Sequence, residues 1–176
     1  SDIHGHLLLE SSEKSKGFSM GQIASLMRAR RTADMHYLYI DNGDIIQGTP
    51  LTHYYGKHES RLGHPVMKAL EYLNCDAIVP GNHEFNYGIE RIHAVKASSS
   101  LPWLAANTIH QDTGEPIFGV PYLIRKVGEI TIGIVGLTCN VADGECEGVM
   151  IGDEINALEH WIGVMKSSNK IDLLIV

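Results

Sequence analysis

Asp2 and His4, then Asp44, then Asn82 are the side chains in this 176-residue sequence whose types and spacing suit metal chemistry. Oxygen and nitrogen donors of this kind suit Mn, Fe, Zn, Co or Ni, and sulfur plays no part. A carboxylate that arrives between two other groups of donors, as Asp44 does, can bridge two cations. Two ions about 3.5–4 Å apart clamp the oxygens of an in-line displacement and activate water at neutral pH. That chemistry cleaves a phosphoester, whose negative charge otherwise repels a nucleophile. Four side chains are few for two ions, so a complete dinuclear site calls for further histidines, expected beyond Val176. Taken singly, each group also has a plainer reading: Asp2-x-His4 as an exposed turn with an incidental histidine, and Asn82-His83 as a structural loop.

Such donors need rigid elements behind them. The short apolar run 77–79 reads as a buried strand that ends in Pro80-Gly81, a sharp turn where the backbone can come close to a ligand. Polar side chains at the C-terminal end of an α/β strand stand where such sheets usually bind ligands. Asp2-x-His4-Gly5 reads as an extended segment in which positions i and i+2 share one face. A strand over 36–40, rich in β-formers, runs into Asp41-Asn42-Gly43-Asp44. An aspartate buried at position 44 is costly unless paired or metal-bound, whereas Asp41 suits the capping of a turn.

Four helices are expected. The first covers 19–32, with Ile23, Leu26 and Met27 on one face and Arg28, Arg30 and Arg31 as a solvated, dipole-compatible end. The second starts at Pro65, well placed in a first helical turn, with Val66, Met67, Leu70 and Leu73 inward and Asn74 as its stop. The third runs over 88–98. The last covers 153–166, with Ile155, Leu158, Trp161, Ile162 and Met165 inward. Strands are expected at 103–107 and 171–176, with a hairpin of 122–127 and 130–137 around Gly128-Glu129. Loops are expected at 10–17, 111–115 and 143–152. The alternation predicts one α/β domain with a mixed sheet.

Composition narrows the class. At 176 residues the chain can bury one real core, and 44% hydrophobic with 20% charged residues is ordinary for a globular protein. A net charge of −7 argues against binding a nucleic-acid polymer, while a small anionic substrate stays compatible because bound cations reverse the local field. No apolar run approaches a transmembrane length. Three cysteines (Cys75, Cys139, Cys146) form no even framework; Cys139 and Cys146 could pair under oxidising conditions, against the plainer reading of free thiols. Both ends of the sequence read as cut.

Asp2-x-His4, Gly43-Asp44 and Gly81-Asn82-His83-Glu84, in that order, resemble the motifs of the calcineurin-like metallophosphoesterase superfamily. Asp41-Asn42-Gly43-Asp44-Ile45-Ile46-Gln47-Gly48-Thr49-Pro50-Leu51, Gly81 through Gly88 and Ala105-Ala106-Asn107-Thr108 resemble its nucleotidase branch. His64-Pro65-Val66 and Asn86-Tyr87 are more similar to the 2',3'-cyclic-nucleotide 2'-phosphodiesterase/3'-nucleotidase group than to the 5'-nucleotidases. The resemblance implies a layered sandwich of mixed β-sheets flanked by helices, of which 1–176 is the N-terminal part, with later ligand motifs and a base-binding C-terminal domain outside it. It implies two divalent metal ions (Mn, Zn, Fe, Co or Ni), with Asp2 and His4 on the first, Asp44 bridging and Asn82 on the second. His83 would stabilise the transition state or protonate the leaving oxygen, and Asn86 would orient His83. The reaction implied is in-line attack of activated water on a nucleotide phosphoester, with a 5'-nucleotide or nucleotide sugar as the alternative substrate. It also implies an extracytoplasmic home. A reading of another class treats these residues as a metal-binding piece without turnover. His53, His58, His36, His93, His110 and His160 match no motif and read as surface or structural.

Overall fold

The structure, a computed structural model, describes residues 1–8, 19–32, 35–58, 60–139 and 146–176. The expected loop at 10–17, and the part of the expected loop at 143–152 that falls before Cys146, lie outside them. The described residues form seven strands and five α-helices, with the third to sixth strands following one another between the fourth and fifth helices. β1 (Ile40–Asp41) and β2 (Ala77–Ile78) pair in parallel, β3 (Thr108–His110) and β6 (Val149–Ile151) pair antiparallel, and β4 (Tyr122–Val127), β5 (Ile130–Val135) and β7 (Leu173–Ile175) form a mixed three-stranded sheet. The α/β architecture with mixed sheets agrees with expectation, and the Gly128-Glu129 hairpin has the expected register, Tyr122 opposite Val135 through Val127 opposite Ile130.

The helices are α1 (Met20–Arg30), α2 (Pro50–Lys57), α3 (Pro65–Tyr72), α4 (Ile89–Ala97) and α5 (Glu154–Ser168). α3 starts on Pro65 and buries Val66, Met67 and Leu70, with Leu73 just beyond it, and Asn74 closes it at φ 54°. α5 is capped by Asp153, whose carboxylate accepts from the Asn156 amide at 2.8 Å. Leu158, Trp161, Ile162 and Met165 join Val135 and Ala106 in one apolar cluster.

Several expectations need correction. α2 was not foreseen, although Thr49 caps it by accepting from the Thr52 amide and Pro50 opens it. Leu26 is exposed because α1 packs only through its first turns, where Met20, Ile23 and Ala24 meet the core. Ile155 is exposed too, since the first turn of α5 lies outside the cluster that the later turns join. The strand expected over 36–40 contracts to Ile40–Asp41, because Asp76 takes the Tyr39 amide on its side chain and donates its own amide to the Tyr39 carbonyl. The segment 103–107 forms a single bridge to Ile78, then gives successive amides to Ile78, Val120 and Gly136, so no continuous ladder forms. The predicted loop 143–152 contains β6, and its pairing with β3 holds Asn107 at the base of that ribbon. All three cysteines are free thiols; burial pushes that of Cys75 up to about 12.

Ile45, Ile46, Met67, Leu70, Ile78, Phe85, Ile92 and Trp103 form the main core. It lies directly beneath the turns that follow β1 and β2, so the polar residues of those turns stand on packed apolar side chains.

Candidate metal centre

Ile3 is buried, with Asp2 and His4 on either side of it. The Asp2 amide donates to the Gly43 carbonyl and the His4 amide to the Asp44 carbonyl, each at 2.9 Å, which lays the first segment along the turn after β1. The extended pleat expected to align Asp2 with His4 is absent. Both residues are left-handed instead, at φ 57° and 46°, and Asp44 is so at 54°. Among the described residues the one other non-glycine with positive φ is Asn74, at a helix end. Each such residue costs about 1–2 kcal/mol unless the surroundings hold it there. Three of these strained positions therefore coincide with three candidate metal ligands.

The result is a cluster. Asp2, His4 and Asp44 each offer one ligand atom, and those atoms all lie within 4.8 Å of one another. His4 Nδ1 is 3.3 Å from Gln47 Oε1, while its Nε2 is 3.9 Å from Asp2 Oδ1. With the amide oxygen accepting from Nδ1–H, Nε2 is the nitrogen left for a cation, the arrangement usual for ligating histidines. An oxygen and nitrogen donor set of this kind fits a borderline divalent cation.

The third turn is built against the second. Asn82–Tyr87 is a 3-10 turn whose Phe85 is buried in the core, worth about 1.5–3 kcal/mol of apolar burial. Its His83 amide donates to Asp44 Oδ1 at 3.0 Å. A Cβ on Gly81 would run into the Asp44 carboxylate, and one on Gly43 would run into the Gly81 amide, so glycine at both positions is what lets the two turns touch. Asn82 starts the 3-10 turn between these contacts. His83 Nδ1 is 2.8 Å from Asn86 Oδ1, and the His83 ring meets that of His4 edge-on at 5.3 Å between centroids. The structure thus brings Asp2, His4 and Asp44 together and sets His83 against them through Asp44 and the His4 ring.

Glu84 is the residue whose purpose sequence reasoning missed. It is fully buried, and its carboxylate accepts from the amides of Asp44 and Gly81 at 2.7 Å each, Ile45 at 2.8 Å and Ile46 at 3.3 Å. Burial pushes its carboxyl up, opposed by the donated amides; ionisation is the state that satisfies all four donors. Asp41 takes the turn-capping place expected of it, accepting from the Gly43 amide at 3.1 Å, and burial raises its carboxyl as well. Gln47 was missed because nothing local marks it; its partner is 43 residues away. Thr138 donates to the Pro80 carbonyl at 2.8 Å, and buried Asn107 accepts from the Thr138 amide and donates to its carbonyl, tying the hairpin side to the site. His6 is exposed and outside the cluster.

A sequence model of the calcineurin-like phosphoesterases matches residues 1–144. The 2',3'-cyclic-nucleotide 2'-phosphodiesterase/3'-nucleotidase of Salmonella typhimurium is 36% identical over 134 residues, covering 73% of this chain and 21% of its own length. The 5'-nucleotidase of Bos taurus is 31% identical over 183 residues, covering 96% of this chain and 31% of its own. The chain therefore spans about a fifth to a third of the length of these relatives. Among solved structures, the calcineurin-like phosphoesterase YfkN of Bacillus subtilis superposes at a TM-score of 0.82 and 25% identity, over 98% of this chain and 58% of that one.

Proposed function

Since the chain belongs to the calcineurin-like phosphoesterase family, we propose that it carries the metal-binding core of a nucleotide phosphoesterase that depends on two divalent ions. The observation that carries this reading is the cluster of Asp2, His4 and Asp44, each in a left-handed conformation, with ligand atoms within 4.8 Å of one another. In this reading Asp2 and His4 hold one ion, Asp44 is shared and Asn82 serves the second, with the remaining donors supplied by side chains other than these four. Bound ions of this class supply Lewis acidity, which activates water and offsets phosphoryl charge.

The chain's own residues do the rest. Gln47 fixes the His4 ring so that Nε2 is the ligating atom. Asn86 accepts from His83 Nδ1–H, which leaves His83 Nε2 to face the substrate. From there the imidazole donates to a phosphoryl oxygen or passes a proton to the departing alkoxide, a role worth about 10²–10⁴ in rate. Glu84 holds the Asp44 and Gly81 turns at one spacing, so these groups need no rearrangement when substrate arrives.

The substrate class proposed is a 2',3'-cyclic or 3'-nucleotide, supported by the higher identity to the Salmonella relative. A 5'-nucleotide or nucleotide sugar is the second reading, favoured by the longer stretch matched to the bovine relative. An extracytoplasmic location follows from the same resemblance; among the described residues no helix is long and apolar enough to cross a membrane. The test is turnover by the intact, manganese-loaded protein of 2',3'-cyclic AMP, 3'-AMP and 5'-AMP. Faster turnover of the first two supports the proposal, preference for 5'-AMP supports the second reading, and no release of phosphate or nucleotide from any of them contradicts both. His83→Ala should lower kcat by about 10²–10⁴ with a much smaller effect on KM.

A further inference from the structure

Behind His4 lies the first turn of α2. A Cβ on Gly5 would strike the side chains of both Thr49 and Thr52, and one on Gly48 would strike the His4 carbonyl and Cβ. The stretch 48–52 is therefore packed directly against the backbone of a candidate metal ligand. Gln47, one residue earlier, reaches the ring of the same histidine.

Thr52 is fully buried although its side chain carries a hydroxyl. Its Oγ1 accepts from the Thr49 amide at 3.0 Å and donates to the Thr49 carbonyl at 3.1 Å. In return the Thr49 hydroxyl accepts from the Thr52 amide at 3.2 Å, and it lies 3.0 Å from Thr52 Oγ1 and 3.4 Å from the Gly5 carbonyl. The bond from the Thr52 amide is what an N-cap supplies. The buried hydroxyl of Thr52 adds a second hold, which fixes Thr49 where it meets Gly5.

The far end of α2 is fixed as well. Arg91 on α4 donates from Nε to the Gly56 carbonyl at 3.0 Å and from Nη2 to the carbonyls of Tyr55 and His58, which closes the last turn. α4 itself continues from the 3-10 turn that carries His83. α2 is thus anchored without the help of His4 and serves as a fixed backing for it.

We propose that Thr52 is a positioning residue for the metal. Its hydroxyl fixes Thr49, and through Thr49 and Gly5 it holds the His4 backbone where the ring joins Asp2 and Asp44. The proposal rests on the reading of His4 as a ligand in the phosphoesterase above, and it adds a residue that supplies no ligand atom itself. Removing a group that orients a metal ligand lowers metal affinity about 10–100-fold.

The test compares manganese affinity, by calorimetry, in the intact protein and in its Thr52→Val and Thr52→Ser variants. Valine keeps the shape but leaves the Thr49 amide without its acceptor; serine restores the hydroxyl. Thr52→Val should bind manganese at least about tenfold more weakly, and Thr52→Ser should bind it within about threefold of the parent. Parent-like affinity in Thr52→Val overturns the proposal, and so does an equal loss in Thr52→Ser. Deuterium exchange in the metal-free proteins separates positioning from a general loss of stability, which speeds all buried amides alike. The His4 amide donates to the Asp44 carbonyl and the Leu104 amide to that of Ile78. The ratio of their exchange rates should rise at least fivefold in Thr52→Val and stay within twofold in Thr52→Ser; an unchanged ratio in Thr52→Val overturns the proposal. If the parent binds no manganese, the metal reading fails, and this ratio alone decides whether Thr52 holds His4. Should Thr52→Val not fold, Thr49→Val, at the half-buried member of the pair, is read in the same way.

Discussion

Replacing Glu84 by glutamine changes one atom at a fully buried position and leaves the packing volume intact. Both carboxylate oxygens are fully used: Oε2 by the amides of Asp44 and Gly81 at 2.7 Å each, Oε1 by those of Ile45 and Ile46 at 2.8 and 3.3 Å. Whichever way the new amide turns, its NH2 faces two backbone N–H groups and satisfies neither. The cheaper orientation places the NH2 at the Oε1 position, where the Ile46 contact is already long. Two lost bonds to a charged acceptor, at about 1.5–3 kcal/mol each, set a range of about 3–6 kcal/mol. The cheaper orientation favours the lower end. Against a total stability of about 5–15 kcal/mol, a loss of about 3 is large. Urea unfolding of Glu84→Gln and the parent protein at neutral pH, followed by circular dichroism, measures it; the midpoint should fall by about 1–2 M. A loss below about 1 kcal/mol would refute the account of Glu84 as the clamp between the two turns.

Two further predictions concern other buried contacts. Gly81→Ala drives a Cβ into the Asp44 carboxylate, so it should weaken manganese binding at least tenfold by calorimetry while stability falls by about 1–3 kcal/mol. His64 is buried, neither ring nitrogen has a hydrogen-bond partner among the described residues, and burial with the nearby Arg91 charge lowers its pKa from 6.5 to about 4. The unfolded chain therefore binds a proton that the fold rejects, and stability should fall by about 3 kcal/mol as pH drops from 6.5 to 4. Comparing the pH dependence of unfolding in His64→Phe and the parent isolates this contribution; equal slopes would show that the buried imidazole is not its source.

Much of this was legible in the sequence because it is local. Pro65 and Asn74 bound α3, the apolar stripe between them is buried, and Gly128-Glu129 turns the hairpin where expected. The order of Asp2, His4, Asp44, Asn82 and His83 also pointed to one site, and of these Asp2, His4 and Asp44 lie together in the structure. What escaped depends on distant partners. Residues 36–39 have strand composition, yet the amide of Tyr39 bonds a side chain 37 residues away, and no ladder forms there. Glu84 reads as one more acid in a polar turn until its four amide partners, up to 40 residues distant, are in place. The pairing of Asp2 with His4 was expected for the wrong reason: left-handed backbone at both, not a β pleat, accompanies ligand atoms that lie within 4.8 Å of one another. The helix over Pro50–Lys57 did carry a local signal, Thr49-Pro50 as cap and first turn.

The claim on which the rest stands is that Asp2, His4, Asp44 and Asn82 hold divalent cations. Its most direct test is the manganese content per chain, by atomic emission after loading and desalting, in the parent protein and in Asp44→Ala. Asp44 is the carboxylate common to both ions in this account, and it also accepts the His83 amide. The account predicts at least one ion per parent chain and less than about a tenth of that in a folded Asp44→Ala. Equal manganese in the two proteins would contradict it.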